Sequence, residues 1–255
     1  MPPRKRLPAP VGWPAFVDYD PGSASNFDRI TALLVQAGYA AISMLTGEPL
    51  PKLLMDNYFR RDRDCFDEVF ELRPAQVDHV IEVSEQLKSA VATQKAFLVR
   101  ALRPPLAGKE PKGLRRAMAS WAVEIVKRLQ SQAQINGGQA FADINTGDFA
   151  EVVDGVRTSG EFVQTLPELT FPIFISFGGL RIHFEGRITY WAQCPSRLQL
   201  DIAPVIVDVF DFHFSTQDAP TGWMDHALAR MQNSGEAHAF RIHGRGSSFR
   251  LTIHE

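Results

Sequence analysis

A helical first half followed by an antiparallel, β-rich second half, an α+β chain, is what these 255 residues predict. Three observations carry that expectation. Apolar residues recur at helical spacing through the first half, the interval falls to two beyond Asp154, and Gly137-Gly138 stands between the two regimes. The expected division is a basic and apolar arm over 1–24, a helical region over 25–135, a linker over 136–154, and a β-rich sheet or partial barrel with one short helix over 155–255.

In the arm, Trp13, Phe16, Val17 and Tyr19 form an apolar stretch expected to fold back on the body. Ser25-Asn-Phe-Asp28 then resembles a capping box, with Asp in place of Glu or Gln. Phe27, Ile30, Leu34, Ala37, Ala41 and Leu45 follow at helical spacing, closed by Gly47 and Pro49. Few polar positions interrupt that stretch, which predicts a largely buried helix. Leu53–Tyr58 and Phe66–Leu72 read as shorter helices. Pro74 suits a first helical position, and Val77, Ile81, Ser84, Leu87, Val91, Leu98 and Leu102 mark one face of a long helix ending before Pro104-Pro105. A last helix before the hinge presents Leu114, Met118, Trp121, Ile125 and Leu129.

In the second half Phe171, Ile173, Ile175 and Phe177 alternate with other residues, and Gly178-Gly179 predicts a hairpin turn. Ile182, Phe184, Ile188 and Tyr190 then share one face of a strand, with Arg181, His183, Glu185, Arg187 and Thr189 on the other. Val205–Phe214 is almost wholly apolar, Trp223–Gln232 reads as a short helix stopped by Asn233-Ser-Gly235, and two strands about Gly244 and Gly246 finish the chain.

Composition narrows the function. A 45% hydrophobic, 22% charged chain is that of a soluble globular protein, and a net charge of -2 disfavours a nucleic-acid partner. Cys65 and Cys194 form no disulfide framework or metal-finger spacing. No window reads as a transmembrane segment or a cleavable signal, which leaves cytoplasmic synthesis as the expectation. Charge is unevenly spread: Met1–Ala133 holds 19 Lys+Arg against 15 Asp+Glu, whereas Gln134–Glu255 holds 8 against 14. All eight of those cations are arginines, and six of the seven histidines lie beside them. Arg and His gather where anions or protons are handled.

The chemistry-bearing run is Asp208-Val-Phe-Asp211-Phe-His213. On a strand Asp208 shares a face with Phe210 and Phe212, and Asp211 and His213 share the other, so an ionisable group enters apolar company either way. The run is followed by a short helix and then Gly235, Ala237, Phe240 and Gly244. Together these resemble the C-terminal domain of colicin M-like toxins and related domains of bacterial secretion-system effectors. That resemblance spans about Val205 to Gly244. It implies an antibacterial toxin or effector acting at the cell envelope, delivered to the periplasm of a target bacterium, and hydrolysing a lipid-linked diphosphate or other phosphoester with Mg2+. Asp208 and Asp211 would then be the acidic, metal-holding pair, with Phe210 standing where the family has Tyr. The family's His-Arg pair is absent as such, leaving His213, or Arg241 with His243, to complete catalysis. An immunity or adaptor protein would be its partner. The alternative is a non-enzymatic binding module of a secretion or tail-like particle that uses the Arg/His-rich sheet face.

Overall fold

The computed structural model describes residues 24–60, 68–114, 116–148, 164–166, 180–212 and 222–255. The expected arm, the strand and turn over 171–179, and His213 lie outside them. Helix α1 (Asn26–Thr46) begins on the capping box read from the sequence: Ser25 Oγ accepts from Asp28 N at 3.2 Å, and the Asp28 carboxylate accepts from Ser25 N at 2.8 Å. Gly47 ends it at φ 73°, a left-handed conformation that glycine adopts without a Cβ clash. After α2 (Leu50–Tyr58) comes β1 (Val69–Leu72), where a helix over Phe66–Leu72 was expected. Four residues with alternating burial follow a period of two, and pairing with a later strand decides their state over local propensity.

The expected long helix is two helices, α3 (Pro74–Val83) and α4 (Glu85–Leu106). Ser84 breaks it: at φ -113°, ψ 113° it leaves the helical region, and its Oγ accepts from Leu87 N at 3.3 Å. Helix α4 also continues through Pro104-Pro105, because two prolines in a final turn delete few helical hydrogen bonds. Helix α5 (Arg116–Ile135) leads through the left-handed Gly137 into β2 (Gln139–Asn145), a strand inside the stretch read as a linker.

The remaining elements are β3 (Gln164–Leu166), β4 (Leu180–Trp191), β5 (Arg197–Phe210), α6 (Gly222–Asn233), β6 (Phe240–Arg245) and β7 (Phe249–His254). The described strands form one mixed sheet with β4 and β5 as its central antiparallel ribbon, Arg181 facing Val207 and Tyr190 facing Leu198. Along β5, β7 pairs with Arg197–Ile202 and β6 with Val205–Phe210; along β4, β3 pairs with one end and β2 with the other. Strand β1 adds a parallel edge to β6.

The helices cover one face of this sheet over two adjoining apolar clusters. Leu98, Leu102, Val126 and Leu129 of α4 and α5 meet Phe184, Ile188, Leu198 and Leu200. Leu54, Tyr58, Val77 and Leu228, from α2, α3 and α6, meet Ile182, Ile206, Phe210 and Ile242. Each such side chain contributes about 1.5–3 kcal/mol when fully buried. Tyr58 is wholly buried, donates to Leu228 O at 2.8 Å, and sets its ring edge-on to Phe210 and Phe212. Close approach of α3 to the sheet requires Gly244, where a Cβ would stand 2.6 Å from Leu72 Cβ and Val77 Cγ2.

Helix α1 differs from expectation. The sequence predicts that its apolar side is buried, yet Phe27, Ile30, Leu33, Leu34, Met44 and Leu45 are 58–81% exposed. Its buried residues are Asp28, Thr31, Ala32 and Ser43. Apolar spacing identifies the stripe but not the side on which the body lies. Here the polar arc is the one satisfied by the body, through Arg230, which binds Asp28 with two hydrogen bonds of 2.9 and 3.0 Å.

Candidate functional site on the outer face of the sheet

The face of the sheet turned away from the helices collects the reactive side chains, because alternation along β4 and β6 sends every second residue there. Register across the strands sets them in rows. His183 and Arg245 flank Val205. Arg181 and His243 flank Val207, with Glu71 of β1 beyond His243. Arg241 lies beside Val209. Cations and imidazoles from β4 and β6 therefore border a ridge of valines, two of which, Val205 and Val207, are fully buried.

Glu185 is the hub of the row nearest the β2 end. Its carboxylate contacts His183 Nε2 at 3.3 Å, accepts from Asn145 Nδ2 at 3.1 Å, and receives an Arg245 guanidinium nitrogen at 3.3 Å. The hydrogen bond with His183, reinforced by the nearby Arg245 and His243, holds the Glu185 carboxyl below its usual range. His183 is 5% exposed, and the turn after β2 closes over it: Gly147 sits so near the imidazole that a Cβ there would stand 3.1 Å from His183 Cδ2. Thr146 Oγ1 anchors that turn by accepting from Phe184 N at 2.8 Å. At the other edge His243 Nδ1 meets Glu71 at 2.8 Å.

The acidic pair read from the sequence divides. Asp208 falls on the helix-covered face, between Ile206 and Phe210 and opposite Ile242, and is 7% exposed. The ladder to β6 runs without a bulge from Val205 to Phe210, so nothing in the backbone redirects it. Its Oδ2 is buried without a hydrogen-bond partner, and burial raises the carboxyl well above the usual range, opposed by a backbone hydrogen bond from Val209. Asp211, half-buried just past the strand end, adds to that rise and also to the elevation of the Tyr58 hydroxyl, whose main cause is burial. Arg241 and His243 do share the outer face, two residues apart on β6, with Arg241 7% exposed. Among the described residues no cluster of three His, Cys, Asp or Glu has an arrangement that could hold a metal ion.

Sequence reasoning placed Arg181, His183 and Glu185 on one strand face but did not join them to β6. Arg245, Asn145 and Glu71 carried no local signal, since only the register brings them to Glu185 and His243. Comparison with protein-family models, with curated proteins and with solved structures finds no match to this chain.

Proposed function

We propose that the chain is a binding module whose outer sheet face takes an anionic group, phosphate-bearing or carboxylate-bearing, from its partner. The observation that supports this reading is the convergence of Arg181, Arg241, Arg245, His183 and His243 on one face, while Asp208 is turned to the opposite one. Arginine forks match planar or tetrahedral anions in pairs of hydrogen bonds, and imidazole N–H groups add further donors. Sodium pyrophosphate, titrated by calorimetry, is a suitable probe. Binding should be measurable at pH 7, and Arg245→Gln should weaken it by about tenfold, the value of one charge-assisted contact. Heat release that is absent, or unchanged in Arg245→Gln, would sink the reading.

A second reading, a metal-assisted diphosphate hydrolase acting as an antibacterial toxin in the target's envelope, has one observation in its favour. Asp208 keeps a buried, unpartnered oxygen that the fold does not use, and such groups gather at functional sites. On this reading, export of the chain to the bacterial periplasm should arrest growth or lyse cells, cytoplasmic expression should be mild, and Asp211→Asn should abolish the effect. Harmlessness in both compartments across several hosts removes it.

A further inference from the structure

Helix α1 leaves its most apolar arc outside the body. At 100° per residue, Phe27, Ile30, Leu33, Leu34, Ala37, Ala41, Met44 and Leu45 fall within an arc of about 120° running the ~30 Å length of the helix. The helix has two charged residues, Asp28 and Arg29. Asp28 is held by Arg230, and Arg29 binds the Glu236 carboxylate at 2.7 and 2.8 Å, so both are directed to the segment formed by α6 and the turn after it. The outer arc is therefore uncharged. By length and composition α1 could also cross a membrane, but its inner side is fixed to the body through Thr31, Ala32, Ser43 and the Asp28–Arg230 pair. A helix lying on an anionic lipid surface needs Lys or Arg along its flanks. Here the single cation is already engaged.

We infer that this arc is the interface of a homodimer, α1 pairing antiparallel with α1 of a second copy about a two-fold axis at Ala37. The arc is self-complementary in that register. Ile30 meets Met44, Leu33 meets Ala41, Ala37 meets its own mate, Leu34 meets Ala40 just beyond the arc's edge, and Leu45 falls beside Arg29, whose guanidinium is held by Glu236. Large side chains thus face small or flexible ones, and the small centre lets the helices approach to the 8–10 Å typical of close packing. An isologous interface requires this kind of self-match. The area is sufficient as well. Ile30, Leu33, Leu34, Met44 and Leu45, at 58–81% exposure, amount to roughly 650 Å² per chain, within the span that a stable interface buries on each partner.

Sedimentation equilibrium of the full chain tests the pairing, alongside two variants that alter exposed positions only. Ala37→Glu places like charges across the axis and should weaken dimerisation by ~100-fold or more, with the circular dichroism and melting temperature of the fold retained. Ile135→Glu, at an 81% exposed residue ending α5, should leave the dimer unchanged. With Cys65→Ser and Cys194→Ser in place, Ala37→Cys should oxidise to a disulfide-linked dimer and Leu45→Cys should not, since only the axis brings a position to its own mate in an antiparallel pair. Several results overturn the inference: a monomer throughout, a dimer indifferent to Ala37→Glu, or cross-linking at position 45. So do a monomer that dimerises only once residues 1–23 are removed, which would make the chain's own arm the occupant, and a monomer that co-sediments with phosphatidylcholine vesicles.

Discussion

Two aspartates show how one residue type acquires opposite properties from its surroundings. Asp28 is 1% exposed, yet its carboxyl is lowered to about 2, chiefly by the hydrogen bonds from Arg230 and then by those from Ser25. Asp208 is similarly buried without a side-chain partner, and burial raises it. Stability should record both signs. Asp28 is depressed in the fold, so its contribution is present above its ordinary value near 3.8 and is lost as pH falls toward 2. Asp208 is raised, so folding is unhindered below the ordinary carboxylate range and loses stability as pH climbs through the elevated value. Asp28→Asn should therefore destabilise the fold at pH 7 by on the order of 2 kcal/mol, with the deficit shrinking below pH 4. Asp208→Asn should do the reverse, gaining roughly 1–3 kcal/mol at pH 7 and matching the native chain near pH 4. Urea denaturation across that range checks both. An Asp208→Asn variant less stable than the native chain at pH 7 would show that the carboxylate is ionised and held by contacts it does not have here.

At the scale of elements, what the sequence revealed was what local chemistry decides. The Ser25–Asp28 box, Gly47, the helix before Asn233 and the two faces of β4 were legible because each depends on residues a few positions apart. Ser84 misled because it occupies a position of the apolar stripe while acting as a cap, and periodicity does not distinguish those roles. Strand β1 is four residues long, too short for a pattern, and is held by Val69–Leu72 lying parallel to Arg241–Gly244 from the far end of the chain. The polar face suffered the same limit. Arg181, His183 and Glu185 were visible as a set, but their union with His243 and Arg245 depends on β5 lying between β4 and β6 in one particular register. Helix α1 was recognised as apolar, whereas the side that meets the body was fixed by Arg230 and Glu236, some 200 residues away.

For the whole molecule the two halves of the sequence are layers of one structure. The first half supplies α1 to α5 and the sheet's β1 edge, the second half adds α6, and β2, at the seam between halves, pairs with β4 at the opposite edge of the described strands. Neither apolar cluster is complete within one half: Leu98, Leu102 and Leu129 cover Leu198 and Leu200, and Tyr58 and Val77 cover Phe210 and Ile242. Separating the layers would expose both clusters to water at ~25 cal/mol per Å2 of apolar surface, a loss far beyond the few kcal/mol by which a domain is stable. Expressed alone, residues 25–135 and 136–255 should each lack a cooperative melt and show collapsed amide dispersion in NMR spectra. Cleaving the intact chain at Gly137-Gly138 should leave the two pieces associated through size-exclusion chromatography, separating only in denaturant. A 136–255 fragment with native-like dispersion and its own sharp transition would instead make the sheet an independent domain, with the helices as a removable cover. The stability of Asp208→Asn would then be decided within that fragment, because the apolar company around Asp208 would no longer depend on Tyr58 and Val77.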